Sequence, residues 1–238
     1  HKANFDMEDF AQQLRFRDAG LTDNSDYTGA WISPYHYANK DADATTAYYS
    51  ISGWMDGGGY STGTIQRYLW LNNTETRLML GPWDHGARAH VSPWRENNDP
   101  QQTIVGAAVL RFFDKHLLGR NTAIENEKPV HYFTMGEEKW RAADTWPPLA
   151  NDFTLYTAPS GKLVTTHPVK EGADVYQGNY ACGTGTNSRY DRLYIQNVET
   201  YYDDWDGRED HMLSYTSAPL DLAMEMTGHA WVGLHFAA

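Results

Sequence analysis

Two residues carry the chemistry that this sequence offers. Asp56 stands in Gly53-Trp54-Met55-Asp56-Gly57-Gly58-Gly59 and His85 in Gly81-Pro82-Trp83-Asp84-His85-Gly86, each just past a strand-like run. A carboxylate and an imidazole in this order can form two members of a Ser-His-Asp relay. The histidine takes the nucleophile's proton, and the carboxylate fixes the imidazole tautomer and stabilises the imidazolium as it forms. The two are 29 residues apart, the span of one strand-helix-strand crossover. Loops at the carboxyl ends of parallel strands converge on one crevice, so such residues can meet there.

The elements between and around them fit that placement. Residues 44–52 are rich in β-formers and end in the glycine cluster, which predicts a buried strand. Ile65, Tyr68 and Leu69 give a helical stripe over 61–71, and residues 77–81 (Arg-Leu-Met-Leu-Gly) form a second short strand. The run 103–118 is the best helix, with Val105, Val109, Phe112, Phe113 and Leu117 on overlapping apolar faces and Gly119 as its stop. Strand, helix, strand, helix favours a parallel α/β sheet. Upstream, Phe5, Phe10, Leu14 and Phe16 predict a short helix followed by coil, and Pro34 makes residues 33–37 turn-like.

Beyond Gly119 the pattern changes. Residues 130–135 are a strand candidate, and 140–148, ending in Pro147-Pro148, read as a connector. Short alternating runs then recur at 153–156, 192–198, 212–217, 222–226 and 230–236; in the last, Ala230, Val232, Leu234 and Phe236 share one face. Short strands separated by turn residues predict a β-sandwich, with the domain boundary near Leu149.

Composition sets the outer bounds. The 238 residues carry 31 acidic against 19 basic side chains, and a net charge of -12 repels phosphate backbones, so nucleic acid is not an expected partner. A single cysteine, Cys182, excludes an internal disulfide framework. No stretch approaches the roughly 18–20 apolar residues of a membrane span, and no signal pattern opens the chain. A soluble protein with no membrane partner is expected, without a compartment being specified. The start at His1 and the end at Ala238 read as the limits of a segment of something longer.

The blocks around Asp56 and His85 resemble a known family. Gly53-Trp54-Met55-Asp56-Gly57, Gly81-Pro82-Trp83-Asp84-His85-Gly86, the helix 110–119, Pro129 to Gly136 with Trp140 and Trp146-Pro147-Pro148, and Leu213 to Leu220 running into Thr227-Gly228-His229 are similar to the serine hydrolase family of cocaine esterase, α-amino-acid ester hydrolases and Xaa-Pro dipeptidyl-peptidases, the CocE/NonD type. The resemblance maps the family's catalytic acid onto Asp56 and its histidine onto His85. It implies α/β plus all-β architecture: residues 1–38 as the tail of a helical cap, 39–149 as the C-terminal portion of an α/β-hydrolase domain, and 150–238 as a partial jelly-roll β-sandwich. Gly57, Gly58 and Trp83 become candidate substrate-lining residues; where family members often carry a bulky side chain after the Asp-Gly, this chain has Gly58.

The nucleophile is the missing part. Chain order in this fold is Ser, Asp, His, so a serine belongs upstream of Asp56. Gly59-Tyr60-Ser61-Thr62-Gly63 matches G-x-S-x-G literally, yet an elbow serine sits directly between strand and helix, and the whole acid loop separates Ser61 from its strand. Ser61 or Thr62 is instead expected to cap the following helix. The expectation is therefore the C-terminal part of a serine hydrolase that cleaves a small ester, amide or peptide through an acyl-enzyme, with its serine outside this segment and no turnover by the segment alone. The alternatives are a non-catalytic β-sandwich module binding carbohydrate or a protein, and one chain of a clipped enzyme. No cofactor is called for. His85 and His90 are five residues apart and lack an acidic third ligand, which argues against zinc. Residues 203–210 are read as a solvated acidic turn rather than a calcium loop.

Overall fold

The structure is a computed structural model that describes residues 33–38, 43–71, 73–95, 101–149, 151–179 and 211–237. Its centre is a four-stranded sheet in the order β1 (Tyr48–Gly53), β2 (Thr76–Gly81), β3 (Val130–Thr134), β4 (Lys139–Ala143). The first three strands run parallel, and β4 returns antiparallel to β3. Helix α1 (Tyr60–Trp70) joins β1 to β2, and α2 (Gln101–Leu118) lies between β2 and β3 in sequence.

The parallel part of the sheet is covered on both faces at β2. Every residue of β2 is buried, as a parallel strand between helices demands. Leu78 and Leu80 point to one side and pack with Ile65 of α1, Val130, Tyr132 and Trp146; Met79 points to the other and packs with Trp83, Ala87 and Ala108 of α2. The amino ends are pinned by Arg77, whose buried guanidinium donates to the carbonyls of Ile124, Glu127 and Lys128 and so fixes the segment that leads into β3. A buried cation is tolerated there because carbonyl oxygens replace its water.

Three local readings need correction. The first strand begins at Tyr48 rather than Ala44, because the Asn73 side-chain amide donates to the carbonyls of Ala44 and Thr46 and holds that stretch outside the ladder. Residues 140–143 are strand, not connector: Gly136 (φ 88) and Glu138 (φ 58) turn the chain, and β4 pairs back on β3 as an edge strand with only Ala143 buried. Gly59, at φ 87, is the N-cap of α1, so Ser61 and Thr62 lie within the helix and do not cap it. Helix α2 ends at Leu118 as expected, with Gly119 in the left-handed region.

Beyond residue 149 the described strands are short. β5 (Tyr156–Ala158) and β6 (Lys162–Val164) pair antiparallel, and β7 (Thr216–Ser217) pairs with β6. Residues 222–226 and 230–236 are not strands; Trp231, Val232, Leu234 and Phe236 are exposed, and no ladder partner lies beside them among the described residues. Apolar alternation makes a strand only where a neighbour accepts its backbone. The run at 192–198, Cys182, the acidic turn at 203–210 and the helix expected near residues 5–16 lie outside the described residues. The later segment is tied to the first sheet by Glu225, which meets Arg141 Nε at 2.9 Å and accepts from the Tyr132 hydroxyl at 3.3 Å.

The Gly81 position admits no added atom. A Cβ on Gly81 would stand 2.3 Å from the Trp83 ring. Gly81→Ala is therefore expected to lower unfolding free energy by about 1–3 kcal/mol, the usual range for an overpacked core. Urea denaturation of both proteins measures the difference; an unchanged midpoint would show that the seat is not tight.

Candidate active site

The site is built where β1 and β2 end. Gly53 and Gly81 are register partners, and the parallel ladder continues past them: Trp54 N–H donates to the Gly81 carbonyl at 2.9 Å and Met55 N–H to the Trp83 carbonyl at 3.1 Å. The loop that carries Asp56 and the loop that carries His85 are thus zipped together. Trp83 occupies the space that the two glycines leave: a Cβ on Gly53 would stand 2.0 Å from its carbonyl oxygen, and one on Gly81 2.3 Å from its ring. The indole Nε1 donates to Gln101 Oε1 at 2.9 Å, anchoring the histidine loop to α2.

On this base the two expected residues meet. His85 Nδ1 lies 2.9 Å from Asp56 Oδ1. The carboxylate's other oxygen accepts from the Ser52 hydroxyl at 3.0 Å, so each oxygen has a partner. Asp56 is 9% exposed by side chain and His85 38%, an arrangement that holds the acid inside and presents the imidazole outward. Ser52 was not legible as a site residue: at the end of a strand it has no distinguishing pattern, and only the turn from Gly53 to Asp56, closed by Asp56 N–H on the Gly53 carbonyl at 3.1 Å, brings its hydroxyl to the acid.

Asp84 does different work from its neighbour. Its Oδ1 accepts the Arg88 and Ala89 N–H groups at 2.9 and 3.0 Å, which folds residues 84–89 into the turn that carries His85. The carboxyl is almost wholly buried, and that burial, ahead of the opposing backbone hydrogen bonds, pushes its pKa above the ordinary value. His90 is buried as well: its Nδ1 accepts the Ser92 N–H at 3.3 Å and its ring meets Phe133 edge to face. Among the described residues no group of three His, Cys, Asp or Glu is placed to hold a metal ion.

The candidate lining residues divide. Gly57 and Gly58 lie in the single turn that joins Asp56 to α1 and offer backbone only. Trp83 is 1% exposed, sealed under both loops, and supports the site without lining it. Ser61 sits inside the first turn of α1, separated from β1 by the acid loop. Tyr60, the first residue of α1, also meets His85, with ring centroids 5.1 Å apart.

The resemblance to the family of cocaine esterase is borne out by comparison with known proteins. Residues 121–238 match the family described as the X-Pro dipeptidyl-peptidase C-terminal non-catalytic domain. Over 98% of its length the chain is 36% identical to a Mycobacterium bovis protein named, by inference, as a serine esterase, and over 66% it is 25% identical to the cocaine esterase of Rhodococcus sp. strain MB1 Bresler. It spans 40% and 29% of those relatives. An aminopeptidase of known structure from a marine sediment Thaumarchaeota archaeon shares its fold, with a TM-score of 0.51 at 19% identity over 83% of this chain and 38% of that one.

Burial of Asp84 fixes the sign of a pH effect. A carboxyl whose folded pKa lies above its unfolded value, near 3.8, costs nothing while both states are protonated; stability is lost as pH rises from there through the folded pKa. Subtracting the unfolding free energy of Asp84→Asn from that of the wild type isolates this group. The difference is expected to fall as pH rises above about 4 and then level off; a difference that climbs with pH would mean that the charged form is the favoured one.

Proposed function

We propose that the protein of which these residues are part is a serine hydrolase acting on an ester or amide, and that this chain supplies the acid and the base of its relay. The observation that carries the proposal is the 2.9 Å contact between His85 Nδ1 and Asp56 Oδ1 at the ends of neighbouring parallel strands. With the Nδ1 proton directed at Asp56, Nε2 is the nitrogen that removes the serine proton as the hydroxyl attacks the substrate carbonyl. The imidazolium then returns that proton to the leaving alcohol or amine, and water repeats the cycle on the acyl-enzyme. Residues 39–149 serve in this proposal as the C-terminal portion of an α/β-hydrolase domain, 150–238 as part of a jelly-roll β-sandwich, and 1–38 as the tail of a cap.

The nucleophile belongs outside residues 1–238. Ser61 follows Asp56 by five positions and lies within a helix, whereas an elbow serine stands on the turn between strand and helix. The oxyanion donors are assigned mostly to backbone amides outside this chain as well. Small esters, amides or peptides are the substrate class, in line with the names of the relatives. A binding module would gain if Asp56 and His85 stood apart or lacked a parallel sheet beneath them; their 2.9 Å contact at the ends of paired parallel strands supports the hydrolase reading instead.

Two experiments test this. A fluorophosphonate probe should leave the 238-residue chain unlabelled and should label a serine upstream of His1 in the longer parent protein; labelling at Ser61 would overturn the assignment. In that parent, Asp56→Asn and His85→Ala should each lower kcat by about 10³–10⁴-fold with little change in KM, the pattern of groups that act in the transition state. Losses below about 10-fold would remove the pair from the mechanism.

A further inference from the structure

An aspartate placed just before a helical turn ordinarily bends its carboxylate onto the N–H groups two and three residues on. Asp56 stands at that position before the turn Gly57–Gly59, yet its side chain makes no such cap. Its oxygens go to two other elements instead: Oδ1 to His85 Nδ1 in the loop after β2, and Oδ2 to the Ser52 hydroxyl of β1, which donates at 3.0 Å. Ser52 is the firmer partner. It lies within β1, opposite Leu80 in the ladder with β2, and it is buried. Further chain packed on this region can only deepen that burial. The terminal torsion of an aspartate is soft and broad, so one hydrogen bond to His85 would leave the carboxylate plane free to swing. A second bond, from a donor that the strand holds still, removes that freedom.

We propose that Ser52 is a positioning residue of the relay: its hydroxyl holds the Asp56 carboxylate away from its own turn and aimed at Nδ1 of His85. The claim rests on the hydrolase reading above and deepens it with a fourth side chain, one that acts through the acid and touches no reacting atom. A hydroxyl donating to an ionised carboxylate makes a charge-assisted bond, stronger than one between neutral groups. Without that donor Oδ2 is left unsatisfied in a site where water is scarce, since the Asp56 side chain is 9% exposed. The donors that an aspartate at this position ordinarily takes are then the N–H groups of Gly58 and Gly59. Turning toward them costs the carboxylate its alignment with His85, and the imidazole loses what fixes its proton on Nδ1.

Threonine and valine have nearly the same shape and differ by one hydroxyl, so Ser52→Thr and Ser52→Val separate the donor from the space it fills. Both are β-branched and suit a strand. In the chain labelled with ¹⁵N at histidine, the ratio of Nδ1–H to Nε2–H tautomers of neutral His85 should be retained in Ser52→Thr. It should be about 2- to 12-fold lower in Ser52→Val, the range that one hydrogen bond spans. In the longer parent protein Ser52→Val should lower kcat relative to Ser52→Thr by a similar factor and leave KM in place, a split that loss of stability alone does not produce. Thermal melts check that the variants are folded; where the added methyl is not accommodated, Ser52→Ala against the wild type replaces the pair. Equal tautomer ratios with and without the hydroxyl, or a rise in KM with kcat spared, overturn the role. Failure of the hydrolase reading registers separately, as the absence of any fluorophosphonate-labelled serine in the parent protein, and leaves the tautomer comparison standing.

Discussion

Trp83 rests where Gly53 and Gly81 leave a gap between the ends of two parallel strands, and the distance from Asp56 to His85 follows from that seat. The indole is large, and burying an aromatic of this kind removes about 150–250 Å² of its surface from water. At about 25 cal/mol per Å², that burial stabilises the fold by roughly 4–6 kcal/mol before opposing costs are counted. Both loops share the anchor: Trp83 precedes His85 by two residues, and its carbonyl accepts the N–H of Met55, the residue before Asp56. A shift of the indole would displace acid and base together. Trp54 adds a second tether from the acid loop, its Nε1 donating to the Phe133 carbonyl of β3 at 2.7 Å.

Around this anchor the charges are assigned to separate tasks. Asp56 and Asp84 both follow strand ends, yet their surroundings divide them. Asp56 gives one oxygen to His85 and the other to Ser52, while Asp84 spends its bonded oxygen on the backbone of its own turn and holds its proton more firmly because it is buried. One shapes the loop; the other faces the imidazole. The Gly-Pro-Trp-Asp-His block is thus a structural cassette, in which Trp and Asp position the histidine that ends it.

Much of this was legible in the sequence where local pattern and tertiary demand agree. The two parallel strands and their helices followed from β-forming runs that end in glycine; the crossover-length separation suggested the Asp56–His85 pair, and the family resemblance assigned it. What escaped depended on contacts across the fold. The capture of the Ala44 and Thr46 carbonyls by Asn73 shortened β1, and a hairpin built on Gly136 and Glu138 turned an expected connector into β4. Ser52 and Tyr60 are ordinary as residues of a strand end and a helix start; only the geometry of the acid loop brings them to the site. Alternation at 230–236 promised a strand that the described structure does not contain, since alternation states which side chains could be buried and not which backbone would pair with them.

The central claim is that His85 is poised as a base by Asp56, and this fixes where its proton sits. Neutral imidazole must carry hydrogen on Nδ1, toward the carboxylate, and keep its lone pair on Nε2. Nitrogen NMR of the chain labelled with ¹⁵N at histidine distinguishes the two tautomers directly. The account requires neutral His85 to be the Nδ1–H tautomer and to lose that preference in Asp56→Asn. A dominant Nε2–H tautomer in the wild type would contradict it.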